Sequence, residues 1–134
     1  MLKLNDDGKS VTKIWNNESF DNQIGGAVWI DDYIIGSGHE GDRSWQCLDA
    51  KTGRVLHKTT DIFKGVVIYS DGLLYCYSDT GELGLMKITS SGFELISKFR
   101  ITLGSEQHWA HPVINNGIIY VRHGNTLMAY DIKK

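Results

Sequence analysis

The chain has 134 residues, fewer than the ~150 of one typical domain, so a single structural unit with one core is the ceiling. Hydrophobic residues at 41% and charged residues at 22% are the proportions of a globular chain and exclude a disordered one. With 14 Lys plus Arg against 16 Asp plus Glu and a formal charge of -2, there is no basic stripe to track a phosphate backbone, and nucleic acid is not expected as a partner.

Leu2-Lys3-Leu4, the turn Asp6-Asp7-Gly8 and Val11-Thr12-Lys13-Ile14-Trp15 open the chain as two short strands. Gly26-Ala27-Val28-Trp29-Ile30, a turn at Asp31-Asp32, and Tyr33-Ile34-Ile35-Gly36-Ser37 then form a hairpin. The strand Ser44–Asp49 and the strand Arg54–Thr59 follow, joined through Lys51-Thr52-Gly53. The pattern returns as the hairpin Gly65–Tyr77 around Asp71-Gly72, the strand Glu82–Ile88, the turn Ser90-Ser91-Gly92 and the strand Phe93–Phe99. A third copy starts at His111-Pro112-Val113-Ile114, turns at Asn115-Asn116, continues through Ile118–Arg122 and ends in the strand Thr126–Asp131. No segment has helical periodicity.

A unit of four strands, lettered a to d, thus recurs at a spacing of roughly 40 residues, the sequence signature of a β-propeller blade. The expected fold is all-β: a partial β-propeller of four-stranded antiparallel blades, about two complete and one partial at each end. Residues 1–20 are strands c and d of a preceding blade, 25–60 and 65–100 are blades, and 109–134 are strands a to c of the last blade. Closing a ring takes roughly four blades or more, so the chain reads as the C-terminal piece of a longer protein. Missing N-terminal blades or a second copy of the chain are therefore the expected partners, because open blade faces and unpaired edges associate.

At Leu48-Asp49-Ala50-Lys51-Thr52-Gly53-Arg54-Val55-Leu56-His57 the chain resembles the repeat of pyrroloquinoline-quinone-like (PQQ-like) propellers, whose motif runs Ala-x-Asp-x-x-Thr-Gly-x-x-x-Trp. Asp49, Thr52 and Gly53 carry the match, and the closing stretch His108–Ile114 to Met128–Asp131 resembles the end of bacterial members. The resemblance implies the propeller fold and a periplasmic or other extracytoplasmic location. Two departures separate the fold from the redox chemistry. The motif's final Trp, which docks neighbouring blades in quinoprotein dehydrogenases, is His57 in one repeat and Ile96 in the next. The vicinal Cys-Cys pair of those enzymes is absent, since Cys47 and Cys76 stand far apart. Both are expected to be inert core residues. The expectation is a non-catalytic scaffold that binds a protein or ligand and needs no cofactor. The alternatives are a fragment of a quinone-dependent dehydrogenase, taking PQQ and calcium through missing blades, and a carbohydrate-binding propeller.

No Gly-x-Ser-x-Gly elbow, phosphate-binding Gly-Lys-Ser loop or His-Glu-x-x-His helix occurs, so no catalytic residues are assigned. Asp6-Asp7 and Asp31-Asp32 are explained by turn chemistry. Strand alternation puts the a–b and c–d turns at one end of each sheet and the b–c and d–a loops at the other. The loop end receives Gln23–Gly25, His39–Arg43, Asp79–Glu82, Glu106–His111 and Arg122–Asn125, and four of the five histidines fall there. Loops held by a rigid scaffold carry binding, so His108, Trp109, His111, Arg122 and His123, with His39 and Arg43, are the candidate ligand- or partner-binding residues. Structural roles stand beside that reading: His111, before Pro112, suits a hydrogen bond to a neighbouring blade, and His123 suits a tight turn. His108 and His111 are spaced for a helix face rather than a loop, so no metal site is expected. The strand aromatics Trp29, Tyr33, Tyr69, Tyr75, Tyr77, Tyr120 and Tyr130 are expected in the core. No apolar run approaches the ~18 residues of a membrane span.

Overall fold

The computed structural model describes residues 1–133, and Lys134, the last residue of the final repeat, lies outside the described residues. Among the described residues the chain is all-β, with 13 strands and no helix, so no helix is long and apolar enough to cross a membrane. The strands are β1 (Leu2–Leu4), β2 (Val11–Lys13), β3 (Val28–Ile30), β4 (Tyr33–Ser37), β5 (Trp45–Asp49), β6 (Val55–Thr59), β7 (Gly65–Ser70), β8 (Leu73–Ser78), β9 (Glu82–Thr89), β10 (Gly92–Arg100), β11 (Val113–Asn115), β12 (Ile118–His123) and β13 (Thr126–Asp131). They form four antiparallel sheets in simple up-and-down order: β1-β2, β3-β4-β5-β6, β7-β8-β9-β10 and β11-β12-β13.

The hairpin turns explain this meander. Asp71 and Gly72 have φ of 53° and 79°, and Asn116 and Gly117 have 51° and 74°. Two consecutive left-handed residues give the turn whose twist matches that of the flanking strands, and Asp-Gly and Asn-Gly adopt it most readily. The third turn therefore falls at Asn116-Gly117, one residue later than the Asn115-Asn116 expected, because Asn115 still pairs with Ile118. Asp31, with φ of 51°, opens the first hairpin. At the β5–β6 turn, the Asp49 carboxylate accepts from the amides of Lys51 and Thr52 and from the Thr52 hydroxyl at 2.7 to 3.0 Å. The motif aspartate thus serves its own turn.

The sheets stack face to face. Ile30, Ile35, Trp45 and Cys47 of the β3–β6 sheet meet Val67, Leu74, Cys76 and Met86 of the β7–β10 sheet, with Ile62 between them. The opposite face of the β7–β10 sheet, carrying Val66, Tyr75, Tyr77 and Leu83, meets Ile119, Val121 and Met128. Strands β7 and β8 are therefore apolar at successive positions, the pattern of a sheet covered on both sides. Strands β3 and β4 lie against β7, and β6 lies against β10. One glycine sets the spacing between sheets and another the spacing of β7 on β8. A Cβ on Gly84 would stand 1.9 Å from Cδ1 of Ile62, and one on Gly65 would stand 2.0 Å from the Tyr77 carbonyl oxygen.

A second contact recurs at the turn end. The Trp15 ring covers Gly53, where a Cβ would stand 2.3 Å from Cε3, and its indole nitrogen donates to the Ala50 carbonyl at 2.9 Å. One sheet further on, His57 of β6 covers Gly92, with a Cβ position 3.3 Å from its Nδ1. His57 thus keeps a docking contact despite replacing the motif's Trp. Ile96 does not repeat it: it is the unpaired residue of a bulge between Leu95 and Ser97 and is 48% exposed.

Both cysteines are buried, as expected, and burial pushes the Cys47 thiol up to about 11 and the Cys76 thiol well above its ordinary range. Tyr75 and Tyr77 are core residues, but Trp29 at 64% and Tyr69 at 44% exposure are not. Val28 and Ile30 turn into the core, so alternation sends Trp29 to the other face. There its ring borders a groove of about 490 Å³ lined also by Leu2, Ile14, Ala50 and Lys51.

Candidate functional site

The loop end begins with Asp21, in the segment between β2 and β3. Its carboxylate accepts from the backbone amides of His39, Glu40 and Gly41 at 2.7, 2.8 and 3.1 Å. These bonds, led by that of His39, hold the carboxyl down at about 2. The β4–β5 loop is thereby pinned, and the His39 ring meets Nζ of Lys64 through Nδ1 at 2.7 Å. Lys64 is also 3.1 Å from the Asp79 carboxylate, with only 12% and 16% of the two side chains exposed. The other Asp79 oxygen, Oδ1, is buried without a partner.

Beyond Asp79, the loop between β10 and β11 folds back over the sheet ends. His108 packs on Gly81, whose φ is 89° and where a Cβ would stand 2.7 Å from Cε1 and Nε2 of the ring. The Tyr77 hydroxyl hydrogen-bonds Nδ1 of His108, and the tyrosine is pushed up to about 12 by burial, with Tyr130 adding to it. His108 stacks on His123 with centroids 3.6 Å apart and planes 18° from parallel. Burial, then the neighbouring His123 and Arg100, hold His108 below its ordinary value, against an opposing pull from Asp79. Arg100 itself donates to the Thr80 carbonyl at 2.7 Å.

His123 is 7% exposed. Its Nδ1 and Nε2 each lie 2.8 Å from a carbonyl oxygen, of Leu103 and Glu106 respectively. Carbonyls only accept, so both contacts are hydrogen bonds only when both ring nitrogens carry hydrogen. Glu106 is left-handed, with φ of 73°, and the Ser105 carbonyl sits 1.8 Å from where a Cβ on Gly124 would be. The loop is moulded around the end of β12.

Of the sequence candidates, the structure brings His108 and His123 into contact and ties His39 to Lys64. Arg122 turns back to its own loop, its Nε donating to the Gly124 carbonyl at 2.8 Å. The Arg43 guanidinium lies 5.9 Å from the centroid of the Phe63 ring. Trp109 and His111 are exposed. Sequence reasoning placed Asp79 at the loop end and Tyr77 in the core without giving either a role there, and passed over Lys64 and Arg100. The signal for Tyr77 was its position as the last residue but one of β8, which carries its hydroxyl to the loop end. Among the described residues, no group of His, Cys, Asp and Glu side chains is arranged to hold a metal ion. No protein-family model and no curated protein matches this chain.

Proposed function

We propose that the chain is a non-catalytic segment of a PQQ-like β-propeller, serving as a rigid scaffold that presents its loop end for binding. The observation that carries the reading is the repeated docking of a ring, on or just after the last strand of one sheet, on the next sheet's turn glycine. Trp15 covers Gly53, His57 covers Gly92, and the two four-stranded sheets share one strand order. Placing each sheet on the next by the same contact is what a radial array of blades requires.

The chemistry favours a scaffold over a quinone-dependent dehydrogenase. Asp49 is engaged by its own turn, and the thiols are buried. The loop-end groups hydrogen-bond or stack on one another. Calorimetric titration of the folded chain with PQQ, with and without calcium, tests this. No heat of binding is expected in either case, and saturable, calcium-dependent heat would overturn the proposal.

A further inference from the structure

The β3–β6 and β7–β10 sheets have four strands each, and the β11–β13 sheet has three among the described residues. Cross-strand register puts one residue of each third strand in the same place. Ile34, Leu74 and Ile119 pair on one side with Trp29, Tyr69 and Ile114, and on the other with Leu48, Met86 and Tyr130. In the four-stranded sheets the row continues, with Val55 opposite Leu48 and Leu95 opposite Met86. Leu48 and Met86 are fully buried, and Leu95 packs against the core between the two sheets. The row through Tyr130 ends at β13. We propose that the free edge of β13 takes up an extended segment of another polypeptide as a fourth strand, antiparallel to β13, with a branched apolar residue opposite Tyr130.

Directly opposite residues of an antiparallel pair point to the same face, so the residue beside Tyr130 would enter the cleft between the β7–β10 and β11–β13 sheets. The cleft, of about 240 Å³, is lined by Leu83, Leu85, Ser97 and Phe99 together with Tyr130. Its one charged wall residue is Asp131, whose carboxylate accepts from the Lys133 amide at 2.9 Å, so the match is an apolar side chain. Strand β10 has β6 against one face. On its other face Phe99 is 46% exposed, although its ring meets that of Tyr130 edge-on with centroids 5.1 Å apart. The added strand would therefore continue the interface that Ile119, Val121 and Met128 already make with the β7–β10 sheet. Main-chain hydrogen bonds along the bare edge would supply affinity, and the cleft would select the side chain. A lone extended segment is the fitting occupant, because the strands of a second copy arrive with sheet neighbours attached.

Strand β10 does this work for β9, so a synthetic peptide of residues 91–101 is the probe. Its binding to the folded, isotope-labelled chain would be followed by NMR, with hydrogen exchange of the 126–131 amides measured alongside. Saturable binding should shift β13 and the cleft residues, and the β13 amides that face away from β12 should gain protection. A Leu95→Lys peptide should bind at least about ten-fold more weakly, since it brings a charge to the apolar cleft. In the protein, Ser97→Glu alters an exposed side chain on the cleft wall and should weaken binding of the parent peptide in the same way. No binding, equal binding by the Leu95→Lys peptide, or shifts centred on β9 rather than β13 would overturn the proposal. Protection of the β13 edge that grows with protein concentration in the absence of peptide would assign the edge to a second copy and overturn it too.

Discussion

Asp21 organises more of the loop end than any other single side chain. Three backbone amides converge on its carboxylate, so the anion satisfies donors that the β4–β5 loop would otherwise turn to water. Folding lowers its pKa from 3.8 to about 2. A depressed carboxylate contributes stability that is present above the unfolded value and disappears as pH falls through the folded one. Asp21→Asn is therefore expected to flatten the acid limb of a stability-versus-pH curve below about pH 4 and to speed exchange of the 39–41 amides. An unchanged acid limb would assign the loop's order to other contacts. The cysteines make an opposite case. The Cys47 thiol, raised to about 11 by burial, is almost wholly un-ionised at neutral pH, and only thiolates attack disulfide reagents. Neither thiol should react in the folded chain, and both should react once urea unfolds it. Prompt reaction of the native chain would reveal opening between the β3–β6 and β7–β10 sheets.

Between elements, the contact to test is Trp15 on Gly53. Gly53 has φ of 71° and a Cβ position 2.3 Å from the indole, so Gly53→Ala combines backbone strain with a clash and should cost about 1–3 kcal/mol in urea denaturation. The same change in a Trp15→Ala background should cost less, because the clash is gone while the strain remains. Equal costs in the two backgrounds would mean that the ring does not dock the sheet. The strands flanking this contact were legible because alternation and turn residues are local properties, written within a few neighbours of one another. Asp71-Gly72 announces its hairpin without reference to the rest of the chain. Docking was not legible, because His57 and Gly92 are brought together only after two sheets have formed. For the same reason the sequence does not show that His123, read as a turn or binding residue, is buried against the carbonyls of a loop that precedes it in the chain. Arg122, a charged loop residue read for binding, donates from Nε to the Gly124 carbonyl of its own turn. Trp29 was misplaced because strand propensity does not say which face of an edge strand will be covered.

At the scale of the whole molecule, the stack is open at both ends. At one end Leu2, Leu4 and Val11 of the two-stranded sheet, and Ile14 just after it, are 50% to 63% exposed. At the other, Val113 and Leu127 are 58% and 68% exposed, Ile96 and Phe99 of the adjoining β10 stand nearly half exposed, and β13 is an unpaired edge. A cleft of about 240 Å³ lies between them, lined by Leu85, Ser97, Phe99 and Tyr130. Exposed apolar faces and bare strand edges are the surfaces through which β proteins associate. Because the two ends differ, contact between copies should run head to tail, which has no built-in stop unless the rotation closes. Light scattering coupled to size exclusion should accordingly show a mass that rises with concentration above the 15.1 kDa of one chain. Leu127→Lys, which charges the β13 end without touching the core, should lower that mass, and Val11→Lys should do so from the other end. If both substitutions act and their combination gives a single 15.1 kDa species, the two open ends are complementary surfaces. A parent chain that stays at one chain's mass at every concentration would mean that neither end is sticky, and the sheets would then form a self-contained stack rather than a section of a longer one.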